Sequence, residues 1–147
     1  MVSEFQSTNR QSGVMLLEAL LAILVFSVGI LSLVGLQALA VNQSSDARYR
    51  SEAALLANEL IAQMWVSDRS VAALQNNFNT GGAAYAPWLV RVQAALPGVI
   101  EDEDTEPLVN VDVNGVATVT VRWRAPNEPQ EAAPRSYIVV AQMGVLP

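Results

Sequence analysis

The side chains of this chain leave little room for solution chemistry. Its 147 residues include no histidine and no cysteine, and all eight basic residues are arginines, set against fourteen acids. Without imidazole or thiolate, the common zinc ligand sets and histidine-centred acid–base catalysis are unavailable. Carboxylates, hydroxyls and guanidinium groups remain. The densest cluster is Glu101-Asp102-Glu103-Asp104-Thr105-Glu106. Hard cations such as calcium favour gathered carboxylates. This run, however, lacks spaced ligands and a turn glycine, and adjacent acids ordinarily form a solvated loop. No catalytic residue, cofactor-binding residue or metal ligand is expected, and the chain reads as a non-enzyme. A net charge of −6 and a pI near 4.5 oppose binding to phosphates, so nucleic acid is not an expected partner.

One carboxylate is placed unlike the rest. Glu18 is the sole charge in VMLLEALLAILVFSVGILSLVGLQ, from Val14 to Gln37. A carboxylate inside a membrane segment costs about 2.5–3.5 kcal/mol on insertion scales, so it needs a partner or a function. The element that carries it is long: Ala19 to Ser45 has no charged residue, and about 20 apolar residues suffice to cross a bilayer core. A cleaved secretory signal would account for Ala38-Leu39-Ala40, but the apolar run exceeds the usual length of such signals. A plain single-pass anchor would leave Glu18 snorkelling to the interface. A third reading is an anchor in which Glu18 is required. Arg10 before the segment and Arg48 and Arg50 after it leave the positive-inside rule ambiguous. Ala19, Ala22, Gly29 and Ser32 fall near one side, where a second helix could approach closely.

The helical pattern continues past the apolar stretch. Tyr49, Ala53, Leu56, Leu60 and Met64 recur at three and four residues, with Ala57, Ile61 and Trp65 beside them, which is the signature of an amphipathic helix. The spacing predicts one helix from Val14 to Val66. Asn76 to Pro87 reads as a loop, and Trp88 to Leu96 as a short helix ended by Pro97-Gly98. Leu108 to Val113 and Val116 to Trp123 alternate as strands around Asn114-Gly115, a signal for a two-residue hairpin turn. Tyr137 to Met143 supplies a third strand. Trp65, Trp88 and Trp123 are expected in a core between helix and sheet. The fold class is α+β, a long N-terminal helix packed on a small antiparallel sheet.

The segment Arg10-Gln11-Ser12-Gly13, followed by Val14-Met15-Leu16-Leu17-Glu18-Ala19, resembles the class III signal of the type IV prepilin-like family. Members have a short polar leader ending in Gly, then an apolar mature end with Glu as its fifth residue. The resemblance implies cleavage between Gly13 and Val14 by a prepilin peptidase and N-methylation of Val14. Glu18 would serve assembly by facing the terminal amine of a neighbouring subunit. Many members begin with Phe or Met, and Val14 departs from that. Gly35 stands at the twenty-second mature position, where many major pilins carry a helix-weakening proline, so local melting there is expected in a filament. Ile30-Leu31-Ser32-Leu33-Val34-Gly35-Leu36-Gln37, then Asn42-Gln43-Ser44, Arg50, Ala53 to Ala57 and Met64, are similar to the minor pilins of the PilV group, or type IV pilus modification proteins. The implied organisation is a leader at 1–13, a transmembrane and filament-core helix at 14–42 and a periplasmic head at 43–147, with the N-terminus cytoplasmic. The implied partners are the prepilin peptidase, other minor and major pilins, the inner-membrane assembly platform and the membrane. The implied role is starting pilus assembly, with links to adhesion and twitching motility. A minor pseudopilin of type II secretion shares the same anchor, and a membrane-anchored binding domain outside any filament is the alternative of another class.

Overall fold

The computed structural model describes residues 9–143, with Asp102 and Asn127 excepted. Residues 1–8 of the expected leader lie outside the described residues. The elements run α1 (Asn9–Val66), α2 (Val71–Phe78), α3 (Tyr85–Ala95), β1 (Leu108–Val111), β2 (Val116–Trp123) and β3 (Arg135–Gln142). The long helix ends at Val66, where the apolar spacing stops, but it begins before Val14. Asn9–Gly13 contains no proline, and one glycine costs only about 1 kcal/mol, too little to halt a helix nucleated beyond it. The chain forms two compact units, Met1–Ser44 and Ser45–Pro147.

In the first unit α1 exposes its apolar side chains all round, from Val14 through Phe26 and Leu31 to Val41. Its richest 18-residue window has a mean hydropathy of 2.7 and is wholly unburied, so the helix is long and apolar enough to cross a membrane. Ser27 and Ser32 need no water. Ser27 Oγ donates to the carbonyl of Ile23 at 2.7 Å and Ser32 Oγ to that of Val28 at 2.9 Å, which satisfies both hydroxyls within the helix.

The second unit is built on the amphipathic stripe. Ala53, Leu56, Ala57, Leu60, Ile61 and Met64 are buried, with Tyr49 packed at the margin. They share a core with Leu74 and Phe78 of α2, Trp88, Leu89 and Val92 of α3, and the inner face of the sheet. The sheet is antiparallel in the order β1-β2-β3. Its inner face is set by strict alternation in β2, where Ala117, Val119, Val121 and Trp123 are buried.

Several expectations need correction. The segment from Asn76 to Pro87 is half helical: α2 runs through Phe78, α3 starts at Tyr85, and the loop is confined to residues 79–84. Leu74 and Phe78, four apart, bury one face of α2. Pro87 sits in the first turn of α3, where a backbone N–H has no helical partner to lose. The hairpin is not a two-residue Asn-Gly turn. Asp112 N–H donates to Val116 O and Gly115 N–H to Asp112 O, both at 3.0 Å, leaving a loop of residues 113–115. The Asp112 carboxylate also accepts N–H bonds from Asn114 and Val116 at 2.8 Å. That side chain organises the turn around itself and moves Gly115 (φ 75°) from the turn centre to a bulge. Trp65 is not a core residue but 48% exposed. It flanks the stripe at the end of α1, with the Arg69 guanidinium 5.6 Å from its ring centroid.

Gly98 ends the α3 connection at φ +66°, and a Cβ there would meet Arg124 Cβ and O at 3.0 Å. Left-handed backbone costs a residue with a Cβ about 1–2 kcal/mol. Gly98→Ala is expected to lower stability by about 2 kcal/mol or slightly more, read as a lower denaturation midpoint with an unchanged slope.

Candidate functional site

Gly13, Val14 and Glu18 all lie on α1. Val14 and Glu18 are one helical turn apart, so their side chains share a face about 6 Å apart along the axis. A Cβ at Gly13 would meet nothing within 4 Å, so the glycine is not required for packing in this chain. Glu18 is exposed, with Met15, Leu21 and Ala22 as neighbours at helical spacing. It makes no hydrogen bond or ion pair with any described residue. A carboxylate thus stands on an apolar surface with no polar partner among the described residues. The helix passes unbroken through Gly35, where a Cβ would also meet open space.

In the second unit several charged groups are tied to one another. Arg135 Nη1 lies 2.7 Å from Asp46 Oδ2 and its Nη2 2.6 Å from Glu128 Oε1, linking α1, the β2–β3 connection and β3. The hydrogen bond from Arg135 holds the Glu128 carboxyl below its ordinary value, helped by the Ala125 N–H, and it raises the Arg135 guanidinium in turn. The acidic run is likewise fastened. Asp104 pairs with Arg124 at 2.7 Å, buried Thr105 accepts the Ile100 N–H at 3.1 Å, and the Tyr85 hydroxyl lies 3.0 Å from Glu106 and 2.7 Å from the Pro107 carbonyl. Burial, then Glu106, pushes the Tyr85 hydroxyl well above its ordinary value. Asp102 lies outside the described residues. No group of three or more acids that could hold a metal occurs among the described residues. Two open depressions border these groups. One of ≈ 520 Å³ lies beside Tyr85, Leu89, Glu101 and Glu106, and one of ≈ 370 Å³ beside Asp46, Arg50, Trp123 and Arg135.

The Asp46–Arg135–Glu128 bridge carries a pH prediction. A carboxyl whose folded pKa is depressed stabilises the fold above its unfolded value, about 4.3 for Glu, and that contribution fades as pH falls through the folded value. Glu128→Gln should therefore cost up to about 1 kcal/mol at neutral pH, discounted for solvent screening. The difference between variant and parent should shrink progressively in melts taken to pH values below the ordinary carboxylate range. A difference independent of pH would contradict the assignment. This bridge joins residues too distant in sequence for spacing to reveal.

No family model, no curated protein and no solved structure matches this chain.

Proposed function

We propose that this chain is a type IV prepilin-like protein, acting as a minor pilin that helps start pilus assembly and enters the fibre. Glu18 is the observation that carries the reading: a carboxylate with no hydrogen bond or ion pair to any described residue, five residues after Gly13, on the half of α1 that is apolar all round. The prepilin peptidase removes residues 1–13 and methylates Val14. The apolar half of α1 anchors the chain in the inner membrane, N-terminus cytoplasmic and head periplasmic, until the assembly platform draws it into a bundle of pilins. There Glu18 meets the terminal amine of a neighbouring subunit, and two opposite charges removed from water attract several times more strongly than in it. Apolar helix packing does the rest. A long helix against a three-stranded antiparallel sheet suits the pilin fold.

A minor pseudopilin would use the same anchor, so the head and the phenotype must distinguish the two. Deleting the gene and restoring it in trans should abolish and then recover surface pili, with secretion of exoproteins unchanged. Loss of secretion with normal piliation would transfer the chain to type II secretion. Loss of neither would favour an anchored binding domain outside any filament.

A further inference from the structure

Asn114 is the one asparagine of the sequence that glycine follows. Glycine has no Cβ to shield its backbone nitrogen, so that nitrogen can reach the side-chain Cγ of the preceding asparagine. The reaction needs only water and hydroxide. Hydroxide takes the Gly115 amide proton, and the nitrogen attacks Asn114 Cγ. An N–Cγ bond forms, the Cγ–Nδ2 bond breaks, and ammonia leaves with a proton from water, which returns the hydroxide. Water then opens the cyclic imide. Addition at Cγ leaves aspartate, and addition at the main-chain carbonyl leaves isoaspartate, whose backbone runs through the side-chain carbon.

The hairpin opposes each part of this step. In the imide, Cγ takes the place of the Gly115 amide hydrogen, so that hydrogen must first face Cγ. Here it faces the Asp112 carbonyl oxygen, 3.0 Å from the nitrogen. Redirecting it means turning the peptide between Asn114 and Gly115, whose carbonyl end accepts a bond from Gln142 Nε2 at 2.8 Å. The peptide is thus gripped at both ends. The electrophile is held as well: the Asn114 N–H donates to Asp112 Oδ1 at 2.8 Å, and Asn114 Nδ2 lies 3.4 Å from Oδ2. Asn114 is exposed, but Gly115 is buried, which keeps hydroxide from its amide. N–H bonds from Val116 and Asn114 hold the Asp112 carboxyl below its ordinary value. At neutral pH it is therefore an anion beside a step that creates another.

We propose that Asn114 is a site of spontaneous deamidation that Asp112 and Gln142 lock shut, so that conversion proceeds only when the turn between β1 and β2 opens locally. The product does not restore the lock. Aspartate at 114 loses the Nδ2 donor and sets a second carboxylate beside Asp112. Isoaspartate in addition lengthens the backbone of the loop at residues 113–115, between strands whose register is fixed on both sides. A converted chain therefore carries a weaker hairpin, and refolding does not reverse the change.

The test is ageing of the full chain in detergent at mildly alkaline pH, then digestion and mass spectrometry of the peptide that carries Asn114. The readout is the rate at which its amide becomes an acid. The chain unfolded in guanidinium gives the unlocked rate, and the folded chain should convert about tenfold more slowly or less. Gln142→Ala changes an exposed side chain and frees one end of the peptide. It should raise the folded rate about fivefold, the worth of one hydrogen bond. Asp112→Ala should raise it further. Gly98→Ala lowers the stability of the same unit without touching the turn, and it should leave the rate unchanged. No conversion in guanidinium, equal rates for folded and unfolded chain, no acceleration by Gln142→Ala, or an equal acceleration by Gly98→Ala would each overturn the proposal.

Discussion

Glu18→Ala is expected to lower incorporation into sheared pili by about tenfold or more while the variant still reaches the membrane. Two unit charges 4 Å apart attract by about 4 kcal/mol at an effective dielectric of 20, and each 1.4 kcal/mol lost is a factor of ten. The substitution also removes a charge that opposes membrane insertion, so failure to anchor cannot explain the loss. Glu18 makes no hydrogen bond or ion pair with a described residue and lies outside the compact unit that holds the core, so that unit should melt at the parental temperature. Glu18→Asp, which keeps the charge on a shorter arm, should recover part of the incorporation. Parental amounts of Glu18→Ala in pili would mean that the carboxylate only snorkels.

Trp88→Ala should produce the largest change in stability. The side chain is fully buried in the core, and its Nε1 donates to the Leu56 carbonyl of α1 at 2.9 Å. Truncating a buried aromatic costs about 3–5 kcal/mol, and the lost hydrogen bond adds about 1. Against a total stability of about 5–15 kcal/mol, the variant should be partly unfolded or absent from membranes at growth temperature. Trp65→Ala is the matched control. Trp65 is half exposed and contacts Arg69 through its ring face, so the change should stay within about 1 kcal/mol. Chemical denaturation of both variants in detergent gives the comparison, and similar losses for the two would contradict the placement of the core.

The parts of this fold legible in the sequence are those governed by periodicity. The stripe from Ala53 to Met64 and the alternation of Val116 to Trp123 each repeat often enough to fix the element and its buried face. Elements decided by only one or two contacts were not legible. α2 has two buried anchors, Leu74 and Phe78, amid polar residues that also suit a loop. Asn114-Gly115 carried the right residues for a tight hairpin, but the Asp112 side chain took the turn donors and changed the turn. Trp65 shows the limit of spacing: a position can be in phase with a stripe and still lie at its end, where little remains to cover it. At the candidate site, Gly13, Val14 and Glu18 were visible because a lone charge in an apolar run is conspicuous in one dimension. The bond from Gln142 to Asn114 and the Asp46–Arg135–Glu128 bridge were not, since each depends on residues brought together from distant parts of the chain.

The measurement closest to the central claim is mass spectrometry of purified, sheared pili. A terminal peptide that begins at Val14, carries one N-methyl group and includes Glu18 is the expected result, because it reports processing after Gly13 and entry into the fibre together. Chain beginning at Met1, or beginning after Ala40, with none starting at Val14, would contradict it.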